Sequence, residues 1–308
     1  MSTAMTALFS RRQPGGIFTI QDMEDHPGIV RFVDASHAAA ENALGGGRSP
    51  DKPFSTLAYA MTNAASLDPP LAAGDVLYGM PNHTETIAAA AGIACATSGV
   101  KFEGLGWGTK RPTFTFSDVA STWTLTAAGI YIKNVRVKSS VNELVKMFSA
   151  TAEDVVLDQV DFIDAGAALE TIQFLLTTSG ATGMTVKNCR HIAATAAASA
   201  QLWIALVGVV GARILNNTFL LKLQDGATSS VINMDTSVRL AEIGNNIIHM
   251  TGYTANLLSA VLGAAAATGI SYNNRMAADV ALVTTINDFP GGYSLENYCV
   301  KTVDKSGI

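Results

Sequence analysis

The densest group of side chains that could do chemistry consists of Asp158, Asp161 and Asp164. Because strand side chains alternate between two faces, Phe162 points inward, and Asp158 and Asp161 point outward on either side of a corner at Gln159. Two carboxylates so placed could act as acid and base on a sugar. Outward strand positions are also polar simply because they meet water, and we favour that interpretation. Asp158 and Asp161 are therefore only weak catalytic candidates.

Other kinds of chemical site find little support. His83 and Glu85 share one face of a predicted strand, but two ligands without a third do not make a metal site. Cys95, Cys189 and Cys299 are far apart and odd in number, which argues against a disulfide framework or a zinc site. The chain has no phosphate-binding loop, dinucleotide fingerprint or nucleophile elbow. We expect no metal and no cofactor.

Composition argues against several classes of partner. The 308 residues include 20 Lys and Arg against 25 Asp and Glu, a net charge of −5, so no basic field would attract nucleic acid or an anionic membrane. The longest apolar run, residues 204–210, is too short to span a bilayer, and the start does not read as a signal peptide. We expect synthesis in a reducing cytoplasm. Only 15% of residues are charged, which indicates surface buried between subunits.

A short pattern of apolar residues around a corner residue, usually asparagine, recurs through the chain. Its corner residues, at steps of 25, 29, 28, 29 and 28, are Asn134, Gln159, Asn188, Asn216, Asn245 and Asn273. The apolar residues beside them alternate with period 2, which is strand periodicity. Two or three short strands per coil of about 28 residues predict an all-β, single-stranded, right-handed parallel β-helix.

These six corner residues are predicted to form a structural ladder rather than a ligand site. Asparagine tolerates the left-handed backbone of a sharp corner better than most residues. Its amide can also donate to one coil and accept from the other, which would continue a hydrogen-bonded column. At residues 216–217, 245–246 and 273–274 two asparagines are adjacent, and the sequence leaves open which of them belongs to the ladder.

The segment ahead of the repeats carries a second set of motifs. It holds Phe-Val-Asp at residues 32–34, three glycines at 45–47, and Ser-Pro-Asp-Lys-Pro-Phe-Ser-Thr-Leu at 49–57. Apolar residues at helical spacing follow, and they predict a short helix that covers the open end of the coils. A Gly-Asp pair at 74–75 then leads into a strand.

This segment resembles the N-terminal part of the pectate-lyase-like, right-handed parallel β-helix superfamily, and with the coils the resemblance covers residues 31–285. The superfamily includes lyases, glycosidases, epimerases and phage spikes, so the resemblance implies the fold and leaves the activity open. Its pectate lyases carry acidic calcium ligands and a catalytic arginine, and its glycosidases carry an Asp-Asp pair and a Gly-His-Gly motif. Neither set has a match at the corresponding positions of this sequence.

Four segments follow from these patterns. We expect residues 1–30 to form an N-terminal arm that attaches the protein, 31–98 the cap and first coils, 99–285 the remaining coils, and 286–308 a C-terminal cap or tail. Alanine-rich segments at 88–91, 193–198 and 264–267 and the scarcity of charge favour self-association.

The function that we favour is that of a non-enzymatic bacteriophage virion protein, either a homotrimeric capsid decoration or a spike. It would be made in the host cytoplasm and attached through its arm to a capsid or other virion protein. One alternative is a polysaccharide lyase or glycosidase of the tailspike type, which would act through Asp158 and Asp161. The other is an adhesin that binds a host surface glycan, for which Trp107 is among the few aromatic residues available.

Overall fold

The computed structural model describes residues 28–163, 171–192, 202–222, 230–251, 259–278 and 287–301. Within these ranges the chain winds through three parallel sheets in the repeating order sheet B, sheet A, sheet C. The predicted right-handed parallel β-helix with a short N-terminal helix is confirmed. No helix among the described residues is long and apolar enough to cross a membrane.

Each sheet takes one strand from successive coils. Sheet A has ten strands: β1 (Val30–Val33), β2 (Val76–Gly79), β5 (Lys101–Gly104), β8 (Tyr131–Lys133), β11 (Val156–Asp158), β14 (Thr185–Lys187), β17 (Arg213–Leu215), β20 (Ala241–Gly244), β23 (Gly269–Tyr272) and β26 (Tyr293–Leu295). Sheet B has eight: β4 (Ile93–Cys95), β7 (Trp123–Leu125), β10 (Leu144–Ala150), β13 (Thr171–Thr177), β16 (Leu202–Leu206), β19 (Ser230–Met234), β22 (Ser259–Gly263) and β25 (Asn287–Asp288). Sheet C has nine: β3 (Thr84–Ile87), β6 (Thr113–Phe116), β9 (Arg136–Ser139), β12 (Asp161–Phe162), β15 (Arg190–Ile192), β18 (Thr218–Lys222), β21 (Ile247–Thr251), β24 (Arg275–Ala278) and β27 (Tyr298–Lys301).

The core fills the space between the three sheets. Each coil contributes one layer of inward side chains, and these layers stack along the axis of the solenoid. Inward residues of neighbouring coils pair in register, so Leu157 lies between Ile132 and Val186 in sheet A. Aromatic rings continue from coil to coil, and the centroids of Trp123 and Phe148 are 5.5 Å apart. Because equivalent side chains of successive coils stack on one another, a sequence that repeats with the length of one coil folds into a solenoid.

A short helix, α1 (Leu57–Thr62), covers the N-terminal end of the coils and contacts the first strand of sheet B. Thr56 caps it, and Glu85 accepts hydrogen bonds from the backbone N–H groups of Leu57 and Ala58 at 2.6 and 2.8 Å. His83 is fully buried, accepts from the Ala35 N–H through Nδ1, and lies 3.2 Å from Glu85 through Nε2. The His83–Glu85 pair therefore holds the helix cap in place.

The turn from each sheet A strand to the next sheet C strand is called here the Asn corner. All six predicted corner residues have a left-handed backbone there, with φ between 55° and 57° at the first five and 50° at Asn273. Two of their side chains bond to the preceding coil, Asn134 to the Gly104 carbonyl at 2.6 Å and Asn188 to Asp158 at 2.8 Å. This backbone conformation is the one that favours asparagine over most other residues.

The residue after the corner forms a second, buried column. Amide-to-amide hydrogen bonds of 3.0, 2.9 and 2.9 Å connect Asn217, Asn246, Asn274 and Asn297 in that order. Where two asparagines are adjacent, the first therefore takes the left-handed turn and the second continues the column. The two roles expected of one ladder are divided between neighbouring positions.

Candidate functional site

The structure places both candidate aspartates at one Asn corner. Asp158 ends β11 and Asp161 begins β12, with Gln159 in the turn between them. Both lie on outward positions, yet neighbouring side chains cover them, and only 5% of Asp158 and 7% of Asp161 is exposed. Asp164, the third aspartate of the sequence pattern, lies outside the described residues.

Asp161 is held by two arginines from different coils. Its Oδ2 accepts hydrogen bonds from Arg111 and, at 3.0 Å, from Arg190. Arg190 reaches it because β12 and β15 pair Asp161 with Arg190 directly, whereas Arg111 comes from the segment that precedes β6. Arg136 pairs with Asp161 on the other side of the sheet C ladder, so three guanidinium groups surround this position.

Asp158 has a different set of partners. It accepts hydrogen bonds from the Tyr131 hydroxyl at 2.5 Å and the Asn188 amide at 2.8 Å, and Lys187 Nζ lies 3.5 Å away. Burial, and then the hydrogen bond to Asp158, raise the pKa of the Tyr131 phenol well above its usual range. Tyr131 therefore keeps its proton at physiological pH.

A third carboxylate, Glu103, lies one coil before Tyr131. Lys101 and Lys133 contact it at 2.8 and 3.1 Å. Burial would raise the pKa of Glu103, but the hydrogen bonds from the two lysines outweigh it, and the pKa is lowered. The ammonium groups of Lys101 and Lys187 also lie 5.4 and 5.8 Å from the Tyr131 ring centroid.

Together these side chains form what is called here the cationic corner. Its six cations are Lys101, Arg111, Lys133, Arg136, Lys187 and Arg190, and its three carboxylates are Glu103, Asp158 and Asp161, with Tyr131 among them. Six positive against three negative charges leave an excess of three positive charges, in a chain whose net charge is −5.

Arg136 is the cation of this corner with the weakest pairing. Among the described residues it makes no salt bridge, and its guanidinium donates to the Thr109 carbonyl at 3.4 Å. Partial burial, and then the positive charge of Arg111, lower the pKa of Arg136. A guanidinium in this situation would gain from an added anion, because an anion supplies the charge partner that it lacks.

An exposed tryptophan lies in a loop whose backbone carbonyls accept hydrogen bonds from two of these cations, Arg111 and Arg136. Between β5 and β6 the corner is lengthened by a loop with a short 3-10 helix, Gly108–Lys110, and Trp107 in this loop is 81% exposed. The loop is fixed to the corner by the Asn134 amide, which donates to the Gly106 carbonyl at 3.0 Å, and by Arg111, which donates to the Gly108 carbonyl at 3.3 Å.

The arrangement is better suited to binding than to acid–base catalysis by the two aspartates. Both oxygens of Asp158 accept hydrogen bonds, and Oδ2 of Asp161 accepts from two arginines. In the part of the chain that the structure describes, no group of three His, Cys, Asp or Glu side chains could hold a metal ion. What the corner offers a ligand is positive charge beside an open aromatic ring.

Comparisons with known proteins add little to this geometry. No protein-family model matches the chain, and a search of curated proteins finds no match. Among solved structures, the chain is similar to an alginate lyase from Paenibacillus sp. str. FPU-7, with 10% identity and a TM-score of 0.29, over 79% of this chain and 96% of that chain. A likeness at this level says nothing about the chemistry of this chain, which has to be inferred from its own side chains.

Proposed function

We propose that this protein binds an anionic polysaccharide, and that the cationic corner with Trp107 is the binding site. The observation that carries the proposal is the excess of positive charge next to an exposed aromatic ring, in a chain that is acidic as a whole. Uronic acid or sulfate groups would supply an anion for Arg136, which forms no salt bridge among the described residues, and would balance the excess positive charge around it.

The shape of the site favours a polysaccharide over other polyanions. The loop that carries Trp107 is bonded to the corner through the Gly106 carbonyl, and the ring itself is open to solvent, so it can lie against the apolar face of a sugar. Successive coils, about 4.8 Å apart, place cations along the solenoid axis, so a chain-like ligand can contact several of them.

Direct binding measurements test this proposal. Isothermal titration of the full chain with polygalacturonate should show binding that weakens as salt is raised, because exposed charge pairs are screened. Neutral dextran of similar length should bind much more weakly. Equal affinity for both polymers would contradict a site based on charge.

Two variants and a matched control locate the site. Arg136→Gln and Trp107→Ala should each weaken binding to polygalacturonate about five- to tenfold. Lys52→Gln removes the same charge from the N-terminal segment, where Lys52 pairs with Glu41, and should leave the affinity unchanged. If all three variants lose the same affinity, the binding is non-specific and the proposed site is wrong.

Cleavage of the bound polysaccharide is the second candidate, and Tyr131 favours it. A phenol that keeps its proton, near the ammonium groups of Lys101 and Lys187, could protonate a leaving glycosidic oxygen while the cations neutralise a uronate carboxylate. In a β-elimination of this kind, a hydroxide ion from solvent would take the proton next to the uronate carboxylate, because the carboxylates of the corner are already paired. The C–O bond then breaks, the leaving oxygen takes the proton of Tyr131, and a C=C bond forms in the sugar; solvent returns a proton to Tyr131.

Ultraviolet absorbance of unsaturated uronates detects this reaction. A lyase would produce the absorbance with polygalacturonate and lose it in Tyr131→Phe, which keeps the ring. Binding without any absorbance in the wild-type chain would leave the protein as a non-catalytic adhesin.

A place on a bacteriophage is compatible with this proposal and rests on the sequence alone. The resemblance to phage spikes, the few charges and the alanine-rich segments support it. A trimeric spike or capsid decoration that adheres to a host surface glycan would use the cationic corner as proposed here. The arm that would attach it, residues 1–30, lies almost wholly outside the described residues.

A further inference from the structure

A pocket with a volume of about 500 Å³ lies at the Asn corner of the last coils. Its lining includes Asn245, Ile247, Asn273, Arg275, Glu296 and Tyr298. None of these residues belongs to the cationic corner, which lies several coils earlier along the same edge of the solenoid.

The corner backbone presents three polar side chains of this pocket. Asn245, Asn273 and Glu296 each occupy the left-handed position of one coil, with φ of 56°, 50° and 50°. Their successors Asn246 and Asn274 turn inward into the buried column, so the first residue of each pair stays outside. The exposed side-chain amides of Asn245 and Asn273 make no hydrogen bond to another described residue.

The other wall comes from sheet C. The register of β21, β24 and β27 places Ile247, Arg275 and Tyr298 in one row. Ile247 is 45% and Tyr298 69% exposed, so an aliphatic side chain and an aromatic side chain flank the guanidinium. Among the described residues Arg275 forms no ion pair.

These groups fit one class of ligand. Side-chain amides and a carboxylate exchange hydrogen bonds with hydroxyl groups, a guanidinium binds a carboxylate in bidentate fashion, and a tyrosine ring covers an apolar face. A sugar that carries a carboxylate offers all three partners at once.

We infer that this pocket is a second subsite for the anionic polysaccharide, an inference that rests on the proposed function. Arg136 and Arg275 follow the corner residues Asn134 and Asn273, which are five coil steps apart, or roughly 24 Å at about 4.8 Å per step. A polysaccharide that lies along the Asn corner, parallel to the solenoid axis, therefore reaches the pocket only when it is several sugars long.

Oligogalacturonates of increasing length test this inference. Tyr298→Ala and Arg275→Gln should weaken binding of long oligomers about five- to tenfold and leave short oligomers, which fill only the cationic corner, unchanged. Tyr293→Ala is the control, because Tyr293 is 78% exposed on the neighbouring strand β26 and does not line the pocket. Thermal melting confirms that the three variants fold alike.

The outcomes separate the two proposals. If both pocket variants bind long oligomers like the wild type while Arg136→Gln loses affinity, the subsite is wrong and the cationic corner stands. Equal losses for short and long oligomers would also overturn the subsite as an extension of the corner. If the wild-type chain binds no oligomer of any length, the proposed function fails and the subsite fails with it.

Discussion

Single carboxylates of the cationic corner hold cations of several coils together. Asp161 connects Arg111 and Arg190, which lie on either side of its own coil in the stack. In sheet C the register places Asp161 between Arg136 and Arg190, and its carboxylate forms direct ion pairs with Arg190 and Arg111. It follows that replacing one such carboxylate affects the fold as well as any ligand.

Asp161→Ala illustrates the effect on stability. The substitution removes the carboxylate that Arg111 and Arg190 share and leaves both guanidinium groups close to Arg136. We therefore expect the free energy of unfolding to fall by about 1–3 kcal/mol. Urea denaturation measures this loss. A variant as stable as the wild type would show that the three arginines find other partners, and loss of activity alone would then point to catalysis.

Glu103 should make stability depend on acidity. Because its pKa is lowered in the folded chain, the carboxylate stabilises the fold above its ordinary pKa, and this contribution is lost as pH falls through the lowered value. In Glu103→Gln we expect stability at neutral pH to fall by about 1 kcal/mol and its dependence on pH below about 4.5 to become shallower. Urea denaturation at several pH values tests both, and an unchanged dependence on pH would contradict the role of Glu103.

At the scale of elements, the spacing of the corner residues predicted the strands and much of their register. Steps of 25 to 29 residues by themselves align Lys133, Asp158 and Lys187, and the observed pairing of β8, β11 and β14 agrees. Arg111 could not be found in this way, because its corner is lengthened by the Trp107 loop and departs from the period. Tyr131 pairs with Val156, and only the length of its side chain brings the hydroxyl to Asp158.

The sequence also left open which asparagine of each pair forms the column, because composition alone does not separate a left-handed turn from a buried amide. Asn246 is fully buried, accepts from the Asn217 backbone and side chain, and donates to Asn274 and the Ile214 carbonyl. Asn246→Ala leaves several of these buried groups without partners, so we expect a loss of at least about 3 kcal/mol in the free energy of unfolding.

Asn245→Gly is the matched control for that change, because glycine keeps the left-handed corner and Asn245 points outward. It should cost at most about 1 kcal/mol. Chemical denaturation compares the two variants. Similar losses in both would mean that the corner, rather than the amide column, stabilises the stack.

At the scale of the whole molecule, the arrangement of charge bears on assembly. Salt bridges concentrate at the cationic corner, whereas Val207, Val210 and Leu240, which are 40%, 38% and 70% exposed, lie in turns that lead from sheet B to sheet A. Exposed aliphatic side chains in successive coils are typical of a surface that contacts another protein. Burying that edge between copies would leave the proposed polysaccharide site open, so binding and assembly need not compete.

The homotrimer that the family resemblance and the low charge predict should therefore depend on this aliphatic edge. Light scattering on a size-exclusion column should give the mass of three chains of 32.1 kDa each. Leu240 has a left-handed φ of 54°, which asparagine tolerates, so Leu240→Asn should not strain the backbone. It should shift the population toward single chains, because it replaces an apolar contact with a polar one. Val119→Asn, at an apolar residue 49% exposed outside these turns, should leave the mass unchanged. A wild-type chain that remains monomeric at all concentrations would make the trimer wrong in solution, and polysaccharide binding would then have to be a property of the single solenoid.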